Sequence, residues 1–132
     1  MPAPGGVVDG RPPTVTVQVL SRLRSVRRTG RLALRIGSSE PSLVALSGTV
    51  RPGRPLAHAH RARAAAFRSP IRLRSALLAF RSAGGLRVTI AVSRSAQRRL
   101  GRARDGRLSL GVLAVDAARY QAARRIKRHI AR

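Results

Sequence analysis

Arginine is the residue type through which this sequence could do chemistry, and two groups of basic residues are dense enough to bind anions. In the first, Arg94, Arg98 and Arg102 recur at four-residue spacing and would form one row on a helix. Like charges at that spacing repel one another by a few tenths of a kcal/mol, a cost that a bound anion would relieve. A solvated face that binds nothing is the favoured interpretation of such a charge run, and a polyanion-binding surface is the alternative. The candidate residues for that surface are Arg94, Arg98, Arg99, Arg102, Arg104, Arg107, Arg124, Arg125, Lys127 and Arg128.

The side chains between these arginines indicate what kind of contact they would make. Proteins that recognise nucleic-acid bases interleave aromatic side chains for stacking or bidentate polar side chains for base edges. The helical row contains only Gln97 of these types. If nucleic acid is bound, we expect phosphate contacts that do not depend on sequence.

The residues that a metal site, a phosphate-binding loop or a catalytic site would need are missing or too few. His58 and His60 supply at most half of a zinc site, and His129 is the only other histidine. The Gly84–Gly85 pair precedes a predicted strand, whereas a phosphate-binding glycine loop follows one. No G-x-S-x-G motif occurs, and the acidic residues are too few to suggest a catalytic pair. We therefore predict a protein that is not an enzyme and has neither metal nor cofactor. The acidic residues are Asp9, Glu40, Asp105 and Asp116.

The composition describes a folded and strongly basic chain. Its 132 residues suit one domain, and 43% of them are hydrophobic, which excludes a disordered polycation. The formal net charge is +24, which implies non-specific affinity for nucleic acid, anionic wall polymer or acidic lipid. A GC-rich coding bias would also favour arginine over lysine, so arginine usage alone does not assign a function. There is no cysteine, and no apolar run approaches the ~18 residues of a membrane span.

The periodicity predicts five or six short strands and two small helical connections. Alternating apolar residues start at Val15, and the runs 31–37 and 42–50 are close enough to form a hairpin. Ser93 is a plausible N-cap for a helix that follows the strand starting at Leu86. Turn signals every 8 to 15 residues favour an antiparallel sandwich over βαβ units. We expect residues 1–13 to be a flexible Pro/Gly linker and 14–132 to be a single domain.

The last segment has two possible structures. Ala118, Ala122, Ile126 and Ile130 recur at i+4, which is a helix signal. A strand would instead place Arg124 on the same side as Ile126.

Several segments resemble a known class of module. DGRPPTVTV, from Asp9 to Val17, is similar to the opening of bacterial immunoglobulin-like (fibronectin-type-III-like) modules. LSLGVLAVDAA, from Leu108 to Ala118, is similar to the last strand but one of the same modules. RRTGRLALRIGSSEPSLVAL and LRVTIAVSRSAQRRLGRARDGRLSL resemble the arginine-rich C-terminal modules of secreted proteins from high-GC bacteria. The resemblance covers most of residues 9–132 and is poorest over 51–80. It implies an all-β, immunoglobulin-like antiparallel β-sandwich with one or two short helical connections and a strand as the last segment.

The resemblance also implies a role. We expect a non-catalytic structural or adhesive module of an extracellular or cell-envelope protein, whose basic surface contacts anionic cell-wall polymers. The N-terminal stretch lacks the features of a secretory signal, so export is expected only as part of a longer multidomain precursor. The alternative is a small cytoplasmic nucleic-acid-binding protein that makes sequence-independent phosphate contacts through its arginine clusters.

Overall fold

Antiparallel strands dominate the computed structural model, which describes residues 12–56 and 67–132. Most of the predicted linker, together with His58 and His60, lies outside these residues. The described chain contains eight strands and two short helices. In order they are β1 (Val15–Val19), α1 (Leu23–Thr29), β2 (Arg31–Ser38), β3 (Ser42–Pro52), β4 (Ile71–Arg72), β5 (Ala76–Phe80), β6 (Gly84–Ala91), α2 (Arg94–Gly101), β7 (Asp105–Asp116) and β8 (Gln121–Ala131).

The strands form two antiparallel sheets that pack face to face. The first has the order β1-β2-β6. In the second, β3 pairs with β7 and β7 with β8, while β4 and β5 follow one another along the other edge of β3. Alternate aliphatic side chains of both sheets are buried in one core, as the period of two requires. The prediction of an all-β antiparallel sandwich with two short helical connections is thereby confirmed.

The predicted hairpin between the second and third strands is wrong. β2 pairs with β1 and β6, whereas β3 belongs to the other sheet, so the chain crosses between sheets at 39–41. Two buried hydroxyl groups hold this crossing, because Ser38 Oγ lies 2.9 Å from Ser42 Oγ. Ser38 Oγ also donates to the Glu40 carbonyl oxygen at 2.8 Å. The short polar connection between these two alternating runs is therefore a crossing from one sheet to the other and not a hairpin turn.

Both helices lie at one end of the sandwich, which we call the helical end. Helix α1 stops at Gly30, whose φ of 70° is the left-handed conformation that glycine adopts most readily. Helix α2 begins at the predicted cap, where Ser93 Oγ accepts from the Ala96 amide at 3.1 Å. Leu23 of α1 and Leu100 of α2 are each 1% exposed, so the apolar sides of both helices close the core at this end.

The opposite end, which we call the corner end, holds the turns 39–41, 81–83 and 117–120. The turn at 117–120 joins β7 to β8 through Arg119, whose φ is 66°. Three hydrogen bonds close this turn, including one from the Tyr120 amide to Asp116 Oδ1 at 2.8 Å.

The last segment is a strand, not a helix. β8 pairs with β7 from Asp105↔Ala131 to Val115↔Gln121. Spacing of i+4 satisfies a strand as well as a helix, because residues four apart also share one face of a sheet. Ile126 and Ile130 occupy the inner face of β8 at 7% and 1% exposure. The i+4 spacing alone therefore does not distinguish a helix from a strand, and it is the pairing of β8 with β7 that makes this segment a strand.

Candidate polyanion-binding surface

The row of arginines on α2 faces a cleft between the two helices, which we call the helix cleft. Gln97 Nε2 donates a hydrogen bond to the Arg27 carbonyl oxygen near the end of α1 and ties the helices together. The guanidinium-bearing side chains of both helices then surround a space of about 510 Å³. Its lining residues are Arg27, Arg94, Gln97, Arg98 and Arg102.

A second cleft, which we call the basin, adjoins the first at the start of β7. It has a volume of about 690 Å³. Arginines from β3, β7 and the segments beside them line it together with one histidine and one carboxylate. Its ionisable residues are Arg51, Arg54, Arg68, Arg104, Asp105, Arg107, His129 and Arg132.

A short backbone ladder places the arginines of the two clefts side by side. The Gly53 amide donates to the Asp105 carbonyl oxygen at 2.8 Å, and the Arg104 amide donates to that of Arg54 at 2.8 Å. The Leu56 amide completes the ladder by donating to the Arg102 carbonyl oxygen at 2.8 Å. Segment 53–56 thus runs antiparallel to 102–105. Because Arg102 lines the helix cleft and Arg104 lines the basin, the two cationic clefts are neighbours at this ladder.

The basin has little internal compensation for its positive charge. Asp105 is the one carboxylate side chain that lines it, and Asp105 Oδ2 lies 3.3 Å from His129 Nε2. Arg51 and Arg107 are direct partners across β3 and β7, a placement of like charges that destabilises a sheet. Arg132 Nε is buried and has no hydrogen-bond partner within the described part of the chain. An oxyanion in the basin would relieve both costs.

Arg99 lines neither of the two clefts, and it lies with Arg98 and Arg102 around an adjoining space. Its Nη2 donates to the carbonyl oxygens of Phe67 and Ser69 at 2.7 and 2.6 Å, and it lies 2.9 Å from Ser69 Oγ. These bonds fasten the segment before β4 to helix α2. The residue that sequence reasoning counted as part of the basic cluster therefore has a structural role.

The second predicted group is divided between the two faces of β8. Arg125 and Lys127 project from the outer face, where Arg125 Nη1 donates to Ser109 Oγ at 2.9 Å. Arg124 and Arg128 share the inner face with Ile126. Arg128 Nε reaches across to the Val17 carbonyl oxygen on β1 at 3.1 Å. Inward-pointing charge of this kind protects an edge strand from pairing with another chain.

The structure thus brings together five of the ten predicted residues and adds others that the sequence did not indicate. Arg94, Arg98 and Arg102 line the helix cleft, and Arg104 and Arg107 line the basin. The additional residues come from distant parts of the chain, and only the tertiary fold places them there. They are Arg27, Arg51, Arg54, Arg68 and Arg132.

Among the described residues, no group of three or more His, Asp or Glu side chains could hold a metal ion. No helix in that part of the chain is long and apolar enough to cross a membrane. The sequence matches no model of a known protein family and no curated protein.

Proposed function

We propose that the protein is a non-catalytic adhesion module that binds linear anionic polymers at its helical end. The observation that carries the proposal is the pair of neighbouring cationic clefts at this end, the helix cleft and the basin. Their linings contain ten arginines and a single carboxylate side chain. A flexible polymer with regularly spaced phosphates could follow this surface and release its counterions, which is the main source of affinity in such contacts.

An envelope polymer is favoured over nucleic acid by two features of the site. Neither cleft has an aromatic side chain in its lining, so bases would find no stacking platform inside the two clefts; Phe67 lines only an adjoining space with Arg98, Arg99 and Arg102. The basic C-terminal segment is a strand of the sandwich, whereas a projecting basic helix is the element that enters a groove. The proposed setting is therefore the one that the resemblance implies, an immunoglobulin-like module of an exported cell-envelope protein.

The test is a salt series with three polymers of similar charge. Binding of the purified chain to a poly(glycerol phosphate) wall polymer, duplex DNA and RNA would be measured by fluorescence anisotropy. We expect tighter binding to the wall polymer, with log K falling linearly as log salt rises. A dissociation constant near ~10⁻⁸ M for nucleic acid at physiological salt would overturn the envelope assignment, because non-specific contacts give only about 10⁻⁴ to 10⁻⁶ M.

Two double variants of equal charge test whether the clefts are the site. Arg98→Gln with Arg102→Gln removes two cations from the helix cleft. Arg35→Gln with Arg87→Gln removes two from the outer face of the first sheet, where they are cross-strand partners. We expect the cleft variant to lower polymer affinity about tenfold and to reduce the salt slope, because it removes direct phosphate contacts. Equal losses in both variants would mean that only net charge matters and that the clefts are not a site.

A further inference from the structure

A groove crosses the strands of the second sheet on its outer face and shares no lining residue with the helix cleft or the basin. It has a volume of about 730 Å³. Two neighbouring rows of cross-strand partners border it, one mostly apolar and one polar. We call this space the sheet groove; the apolar row is Leu77, Ala45, Leu113 and Ala123, and the polar row is Ser47, Gly111 and Arg125.

Small residues and one fixed arginine shape the floor of the sheet groove. Gly111 has no side chain, and a Cβ added to it would lie 3.5 Å from Ser47 Oγ and 4.0 Å from Arg125 Nη2. Arg125 is held in this position because its other terminal nitrogen, Nη1, donates to Ser109 Oγ at 2.9 Å. A hydroxyl group and a guanidinium group therefore converge on the space above Gly111, where both can donate to one anion.

Charge and apolar surface are separated along the length of the sheet groove. Both arginines that line it, Arg124 and Arg125, belong to the edge strand β8. Toward the opposite edge the groove passes Leu113 of β7, which is 41% exposed, and ends at Leu77 of β5, which is 71% exposed. Neighbouring strands lie about 4.8 Å apart, so the apolar side from β7 to β5 is about 10 Å long. The groove thus has a cationic end and an apolar end.

We infer that the sheet groove binds a free anionic amphiphile with a single alkyl chain, of the fatty-acid type. Its carboxylate would lie above Gly111 and accept hydrogen bonds from Arg125 Nη2 and Ser47 Oγ. Its alkyl chain would extend across β3 to Leu77 and remove the exposed leucines from water. A small number of convergent polar groups at one end of an apolar groove is the usual design of a small-molecule site. Charge complementarity at that end selects an acidic head group.

Other occupants fit the sheet groove less well. A small inorganic anion would leave the leucines exposed, and a neutral alkyl chain would leave the converging donors unused. An anionic bilayer is broad, so it would contact the projecting side chains around the groove, including Lys127 and the Arg51–Arg107 pair, rather than the floor at Gly111. The inference does not rest on the proposed polymer binding, because the groove and the two clefts have no lining residue in common.

An NMR titration of the isotope-labelled full chain, freed of nucleic acid, with decanoate tests the inference. We expect saturable shifts of the Ala45, Gly111 and Arg125 amide signals, with a dissociation constant of about 50 µM to 1 mM for a ligand of this size. Butyrate has the same carboxylate but buries less apolar surface, so it should bind at least about tenfold more weakly. Equal affinity for the two acids, or shifts confined to the helical end, would overturn the inference.

Variants with unfolding temperatures close to that of the wild type locate the ligand. Arg125→Gln removes a charge-assisted hydrogen bond, and Ala45→Phe fills the groove without changing its charge. Each should raise the decanoate dissociation constant at least about tenfold. Arg87→Gln, which removes an equal charge from the outer face of the first sheet, should leave it unchanged. Equal losses in Arg125→Gln and Arg87→Gln would mean that only net charge matters and would refute the site. Undiminished decanoate binding by Ala45→Phe, together with binding to phosphatidylglycerol vesicles, would assign the leucines to a bilayer contact instead.

Discussion

Gly48 lies at the centre of the second sheet, where the structure leaves no space for a side chain. An alanine Cβ at this position would lie 3.0 Å from the Leu110 Cα and well inside van der Waals contact with the Ser109 carbonyl oxygen. Both atoms belong to the backbone of β7, which cannot rotate away as a side chain would. Gly48→Ala must therefore push β3 and β7 apart where they pair.

The cost of this change follows from the displacement that it forces. Carbon atoms pack at about 3.5–4.0 Å, so the strands must separate by about 0.5–1 Å. Overpacking of this kind costs about 1–3 kcal/mol, and weakening one ladder hydrogen bond adds about 1 kcal/mol. We expect Gly48→Ala to lower the free energy of unfolding by about 3 kcal/mol and the unfolding temperature by about 10 °C.

Urea denaturation followed by circular dichroism measures the effect, and Gly106→Ala is the matched control. Gly106 is also a buried strand glycine, but its added Cβ would meet Leu23 Cδ2 at 3.4 Å and Ile130 Cβ at 3.6 Å, which are ordinary contacts. The control should change stability by no more than about 0.5 kcal/mol. If Gly48→Ala unfolds at the same urea concentration as the wild type, the pairing of Gly48 with Leu110 is wrong.

Three further changes probe other parts of the fold. Arg99→Ala should cost about 1–2 kcal/mol, because hydrogen bonds to segment 67–69 are lost, and hydrogen exchange should show faster exchange in that segment. Arg119→Gly should stabilise the protein by about 0.5–1 kcal/mol in thermal denaturation, because φ is 66° there; lower stability would contradict this turn geometry. Asp105→Asn should tighten polymer binding and cost less than about 1 kcal/mol of stability, since its pair with His129 is exposed. Weaker binding by Asp105→Asn would show that the carboxylate organises the basin rather than opposing the polymer.

Local patterns were sufficient to predict most elements but not how they are joined. Alternation located β1, β2, β3, β6 and β7, and a single serine correctly marked the start of α2. The partner of each strand was harder to predict, because alternation specifies which face is buried and not which strand lies alongside. The predicted hairpin failed for this reason, since the SSEP turn suits a corner between sheets as well as a reversal within one.

The candidate site shows the same division between local and long-range information. Spacing on one helix was enough to group Arg94, Arg98 and Arg102. The contributions of Arg27 and Arg54 depend on α1 packing against α2 and on the ladder at 53–56, which no local pattern encodes. The structural role of Arg99 was equally invisible, because its acceptors are backbone carbonyl groups about thirty residues away.

The pairing of β3 with β7 also determines the order in which this protein can be assembled. The paired residues are more than fifty positions apart in the chain, so a ribosome has released β3 long before β7 exists. During that interval one long edge of β3 has no partner, and pairings of such high contact order form slowly. Nascent chains in this condition associate readily through exposed strand edges. Mutual repulsion between arginine-rich chains opposes that association, so the same charge that would hold a polymer also keeps unfinished molecules apart.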